Sequence, residues 1–147
     1  MADSLHFAAR GIHDEASMMA EVSKAYADQA QTPILNMLNA RWFILSEGKI
    51  AMRNPAANGN AWFVDKLNYV NNANQELEAL GKLNLRHETV SDARFKAVLG
   101  EATPQDSTSV VKLTAYAPNQ LTYEVKSATG GVMVFSEIYY PEWTATV

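Results

Sequence analysis

The sequence predicts an α+β fold in which an N-terminal helix and mixed short elements precede an antiparallel β-sheet that forms half of a β-sandwich. Two patterns predict this order. Apolar residues recur at three- and four-residue steps over 14–31, which is the spacing of a helix. From Ser107 onward apolar and polar residues alternate, which is the spacing of strands with one covered face. The 147 residues have the length of one ordinary domain, so we expect a single unit over 1–147.

The first part of the chain contains helical and extended segments. Asp14 can cap the helix over 14–31, and Pro33 ends it because proline disfavours a helical conformation in the residue before it. The next predicted elements are a turn of helix over 34–38, a strand over 40–45, a turn over 46–49, a return strand over 50–53 and a loop over 54–60.

The middle of the chain continues in short elements. They are a strand within 61–70, a helix over 73–80, a short strand near 87–90 and a helical turn that carries Phe95, Val98 and Leu99. We expect Asn72 to cap the helix and Gly81 to close it, with Leu77 and Leu80 facing inward. Asp92 is expected to cap the turn.

The last third of the chain predicts an antiparallel meander. The inward positions are Val111, Leu113 and Ala115 on one strand and Leu121, Tyr123 and Val125 on the next. A hairpin at 117–120 joins these two strands, and 132–140 is apolar on both faces, which is typical of a central strand. The final run 143–147 also indicates a strand, so we expect a fragment of a longer chain, with an exposed edge that pairs two copies.

Composition narrows the classes of function. Sixteen acidic and 12 basic residues give a net charge of −4, which argues against a nucleic-acid surface. The absence of cysteine excludes disulfides and thiolate metal sites. No stretch has the composition of a secretory signal or of a membrane-spanning helix, so we expect a soluble domain. The three histidines lack metal-site spacing, and we expect no metal and no cofactor.

Two kinds of candidate site remain. Glu137 is an acid in an otherwise apolar segment, so it is either buried and hydrogen-bonded or part of a functional groove, for example that of a free-standing hydrolase with a second carboxylate opposite. Aromatic residues near it are of the type that stacks on sugars, although such residues are more often core. The candidate cluster consists of Glu137, Tyr139, Tyr140, Trp143, Asn60 and Trp62.

Three sequence blocks carry a resemblance to a known family. They are LNMLNARWFI at 35–44, NP at 54–55 followed by GNAWFV at 59–64, and FSEIYYPEWTA at 135–145. In this order they resemble the YfhO-type bacterial integral membrane proteins, in particular the Bacteroides-like members. The family pattern often has glycine before the tryptophan, where this chain has Glu142.

The resemblance implies a polytopic parent similar to lipid-phosphosugar-dependent glycosyltransferases of the cell envelope. It implies that the parent lies in the bacterial inner membrane, with this domain on the extracytoplasmic, periplasmic side. The catalytic acid of that class lies in the membrane portion, so we expect this domain to be non-catalytic and to contact the membrane portion of the same parent. A glycan or lipid-linked sugar is a further expected partner. The alternative is a carbohydrate-binding module that uses surface aromatic residues.

Overall fold

The computed structural model of the chain describes residues 33–45, 50–104 and 108–147, together with Lys24. The helix expected over 14–31 lies outside the described residues, Lys24 excepted, and so does the turn expected over 46–49. Short helices and strands make up the described part of the chain, which confirms the α+β class.

The elements follow one another closely. In chain order they are α1 (Pro33–Met37), β1 (Trp42–Leu45), β2 (Ile50–Arg53), β3 (Ala61–Val64), β4 (Lys66–Val70), α2 (Ala73–Leu80), β5 (Glu88–Asp92), a 3-10 turn (Ala93–Phe95), α3 (Lys96–Leu99), β6 (Val110–Ala117), β7 (Gln120–Lys126) and β8 (Val132–Phe135). Each of these elements agrees in type with the sequence prediction for its segment, and 61–70 contains two strands instead of one.

The strands pair two by two. β1 and β2 are antiparallel neighbours, and β6 and β7 form the predicted hairpin with a register irregularity between Leu113 and Ala115. β4 and β5 run parallel, joined through α2 as a β-α-β unit. β3 and β8 are antiparallel, with Ala61 opposite Phe135 and Val64 opposite Val132.

The predicted meander is therefore wrong at its third strand. β8 pairs with β3, and it ends at Phe135 instead of continuing to Tyr140. The reason lies in its partner, because β3 begins at Ala61 and the chain before it is a loop that offers no further ladder. The strand expected over 143–147 is also wrong, since these described residues have no regular structure.

Local capping follows the sequence closely. The side chain of Asn72 accepts a hydrogen bond from the Gln75 amide at 3.0 Å, and Gln75 Oε1 accepts one from the Asn71 amide at 3.0 Å, so the first turn of α2 is satisfied from both sides. Leu77, which was expected to face inward, is 67% exposed, so the contact of the helix with β5 leaves this residue at the surface.

The apolar core lies in the first half of the described chain. Its buried side chains are Phe43, Trp62, Val64, Leu67 and Leu85. The hairpin β6–β7 turns alternate residues toward this core, and Val111, Leu113, Leu121 and Tyr123 are half-buried. Ala115 and Val125, which were also expected to face inward, are exposed. Among the helices formed by described residues, none has the length and apolarity that crossing a membrane requires.

Candidate functional site

Asn54 is buried in the loop between β2 and β3. Its Nδ2 donates to Asn36 Oδ1 at 2.9 Å and to the Ala40 carbonyl at 2.8 Å, while its Oδ1 accepts from the Ala56 amide at 3.0 Å. A buried amide group is stable only when its donors and acceptors are paired, and here they are. Asn54 therefore ties its loop to α1 and to the chain entering β1.

Asn58, the second buried asparagine, ties the same loop to the segment before β5. Its Nδ2 donates to the Leu85 carbonyl at 3.0 Å, and its own carbonyl accepts from Arg86 Nη1 at 2.8 Å. Its amide donates to the Asn36 carbonyl at 2.9 Å. The loop is thus fixed by polar contacts at both of its buried positions.

Trp62, a candidate for sugar stacking, lies in the core. It is 5% exposed, and its Nε1 donates to the Leu85 carbonyl at 3.1 Å, the same oxygen that accepts from Asn58. Burial and a satisfied indole N–H are the features of a structural tryptophan. Trp62 therefore has no open ring face on which a ligand could stack.

Asn60 is half-buried and joins two distant segments. Its Oδ1 accepts from Arg41 Nη2 at 2.8 Å, and its carbonyl accepts from the Ser136 amide at 2.9 Å. The Ser136 hydroxyl donates to the carbonyl of Gly59, whose φ of +97° lies in the region that favours glycine. These contacts fasten the end of β8 to the loop that precedes β3.

The aromatic residues beyond β8 are at the surface. Tyr139 is 74% exposed, Tyr140 71% and Trp143 38%. The Trp143 amide donates to the Tyr140 carbonyl at 2.9 Å, which makes the segment a turn around Pro141. The structure thus separates the predicted cluster into a core residue, Trp62, and an exposed aromatic segment, 139–143.

Glu137 is exposed at the start of this segment, so the first of its two expected roles, that of a buried, hydrogen-bonded acid, is wrong, and so is its place on a strand. The strand ends two residues earlier for lack of a partner, and Glu137 turns to solvent. It influences Tyr123, whose pKa is raised chiefly by burial of the phenol and further by the negative charge of Glu137. The Tyr123 ring meets Phe135 edge to face at 5.1 Å.

A charged groove beside β3 was missed by sequence reasoning. It has a volume of about 790 Å³ and lies between β3, the turn before β5 and the start of β6. Asp65, Arg86, His87 and Lys112 contribute to its lining. Asp65 Oδ2 lies 3.0 Å from His87 Nδ1, which fixes the imidazole ring beside the carboxylate.

The parallel pairing of β4 and β5 brings Asp65 and His87 together. The register joins Lys66 to Glu88, so the residues just before these two meet at the same end of the pair. The amides of Asp65 and Lys66 both donate to the His87 carbonyl, at 2.8 and 3.2 Å. The sequence carried one indication of this contact, the strand–helix–strand order over 66–92. Parallel neighbouring strands require a crossover of this kind, so the order could have predicted that the starts of the two strands lie side by side.

Comparison with known proteins adds no assignment to this geometry: no protein-family model, no curated protein and no solved structure matches the chain.

Tyr123 supplies a test of the packing around β8. Its hydroxyl is buried and has no hydrogen-bond partner among the described residues. Because an unpaired buried hydroxyl costs about 1 kcal/mol or more, Tyr123→Phe should leave the free energy of unfolding unchanged or raise it by up to about 1 kcal/mol in urea denaturation.

The pH dependence of the same variant has a definite sign. Because its pKa is raised, Tyr123 stays neutral in the folded protein where the unfolded chain ionises, so stability falls as pH rises beyond about 10. Tyr123→Phe should weaken that fall. The control is Tyr116→Phe, at a tyrosine that is 69% exposed; equal pH profiles for the two variants would contradict the assignment.

Proposed function

We propose that this chain is a non-catalytic extracytoplasmic domain of a YfhO-type polytopic membrane protein, whose parent resembles the lipid-phosphosugar-dependent glycosyltransferases of the cell envelope. One observation carries the proposal: the three sequence blocks that resemble the family meet in space. Asn54 of the second block donates to Asn36 of the first at 2.9 Å. Asn60 of the second block accepts from Arg41 of the first at 2.8 Å and from Ser136 of the third at 2.9 Å.

Contacts of this kind support a shared structural unit more than a shared active site. The bonds join backbone and amide groups that hold loops in place. Glu137, the acid that a hydrolase would need, is exposed on the segment after β8. These features favour a domain that shapes or positions a partner site over one that performs chemistry itself.

The proposal includes the partners of the domain. The half-covered hairpin β6–β7 would form one layer of a β-sandwich, completed by the parent protein, because Tyr116 and Val125 are exposed on its half-covered face. Each described strand pairs with a single other described strand, so edges remain through which two copies can pair. Light scattering of the isolated chain checks this homodimer; a monomer at all concentrations would contradict it.

Fractionation of the native bacterium tests the main proposal. An antibody raised against this chain should detect a product much larger than 147 residues in the inner-membrane fraction. Protease added to intact spheroplasts should cleave the epitope, because the domain faces away from the cytoplasm. A product of this chain's own size in the cytoplasmic fraction, protected from the protease, would overturn the proposal.

A second candidate function rests on a separate observation. Tyr139, Tyr140 and Trp143 lie on one short exposed turn, and exposed aromatic rings stack on the apolar faces of sugars. The candidate is a carbohydrate-binding module that uses this aromatic segment. The burial of Trp62 removes one predicted contributor and leaves these three.

Binding of neutral oligosaccharides by the purified chain tests the candidate. If the aromatic segment stacks on sugars, Tyr139→Ala and Tyr140→Ala should each weaken binding by about fivefold, since an aromatic contact contributes roughly 1 kcal/mol. Binding is measured by NMR titration. Tyr116→Ala, at an exposed tyrosine on the hairpin, is the matched control. An equal loss of affinity in the control variant, or the absence of binding by the unsubstituted chain, would contradict this function.

A further inference from the structure

The groove between β3, the turn before β5 and the start of β6 concentrates positive charge on a protein of net charge −4. Arg86, His87 and Lys112 line it, and Asp65 is the acid that faces them. With the histidine neutral, two cations stand against one carboxylate. The local charge of the groove is therefore opposite in sign to that of the whole chain.

Arg86 is held in place with donors to spare. Its Nη1 donates to the carbonyl of Asn58 at 2.8 Å, and Asn58 is itself buried and bonded to Leu85. No further partner of the guanidinium occurs among the described residues, so Nε and Nη2 keep their N–H groups for a ligand. An anchored guanidinium is suited to bind planar or tetrahedral oxyanions through two parallel hydrogen bonds.

Lys112 is the second cation without a carboxylate partner in the described part of the chain. Glu124 lies opposite it in the β6–β7 register, yet the ion pairs among described residues do not include either side chain. The pairs are Lys66–Glu88, Arg94–Asp92 and Lys96–Glu101, and His87 lies beside Asp65. Lys112 therefore forms no ion pair among the described residues, and its ammonium group stays open to an anion.

His87 adds an oriented donor or acceptor. Its Nδ1 is engaged by Asp65 at 3.0 Å, which leaves Nε2 as the ring nitrogen available to a ligand. Asp65 sets the orientation of this ring.

Apolar residues make up part of the remaining lining of the groove. Phe63 lines it from β3, and Val111 and Leu113 line it from β6. The groove is open to solvent, and its volume of about 790 Å³ is enough to admit a small organic molecule. Apolar residues beside two cations suit a molecule with an organic body and an anionic group.

We propose that this groove binds a small organic molecule through a phosphate or carboxylate group, with Arg86 as the two-point contact and Lys112 as the second charge. The site is independent of the aromatic segment and of the membrane parent proposed above. The oxyanion is the shared chemistry, and separate probes distinguish a phosphate from a carboxylate.

NMR titration of the isotope-labelled chain tests the proposal, with inorganic phosphate, glycerol phosphate and acetate as probes and glycerol as the neutral control. Phosphate or acetate should shift the amide signals of Arg86, His87 and Lys112, and glycerol should not. Whichever of inorganic phosphate and acetate binds more tightly shows whether the site prefers a phosphate or a carboxylate group. Absence of shifts with every anion, or equal shifts with glycerol, overturns the proposal.

Two pairs of charge-removing variants locate the site. Lys112→Gln should weaken binding of the preferred anion by about fivefold, because it removes one charge-assisted contact. Lys126→Gln makes the same change on the same hairpin outside the groove lining and should leave the affinity within about twofold. Arg86→Gln should weaken binding by about tenfold and is compared with Arg53→Gln on β2.

Arg86→Gln removes the hydrogen bond to the carbonyl of the buried Asn58. If this variant fails to fold for that reason, the comparison of Lys112→Gln with Lys126→Gln decides the outcome. Lys112 is exposed on its strand, so its substitution leaves the core intact. An equal loss of affinity in Lys112→Gln and Lys126→Gln would show attraction by general surface charge and would overturn the proposal.

Discussion

The carbonyl oxygen of Leu85 is the contact on which the described structure depends. It accepts from Asn58 Nδ2 at 3.0 Å and from Trp62 Nε1 at 3.1 Å, and Leu85 itself is 2% exposed. Removing this acceptor would leave two buried donors unpaired, at a cost of about 1–3 kcal/mol each. One oxygen thus joins the loop before β3, the core strand β3 and the turn before β5, which are far apart in sequence.

The charged groove follows from this constraint. Once Leu85 is fixed, the next residues, Arg86 and His87, must leave the core at a defined point. Arg86 returns a hydrogen bond to Asn58, and His87 meets Asp65 where the parallel strands β4 and β5 begin. The polar rim of the groove is therefore a consequence of how the core is closed.

The sequence predicted what depends on neighbouring residues. The cap at Asn72, the helix over 73–80 and the hairpin at 117–120 follow from local turn and capping chemistry, and all are present. Pairing between distant segments was not predictable in the same way. The partner of β8 is β3, some seventy residues earlier, and an apolar run carries no information about which strand it joins. The burial of Asn54 and Asn58 was equally hidden, because asparagine in a loop is ordinarily read as exposed.

The candidate site shows the same division. Sequence reasoning identified aromatic residues by type, but whether a ring is packed in the core or exposed depends on strand pairing, and this separates Trp62 from Tyr139 and Tyr140.

Asn60 connects the two candidate surfaces. It lines the groove, and its carbonyl fixes Ser136, from which the aromatic segment departs. A change at Asn60 would disturb both surfaces, together with its bond to Arg41, and so could not assign a function to either one. A change at Lys112 or at Tyr139 would alter one surface alone, because both side chains are exposed.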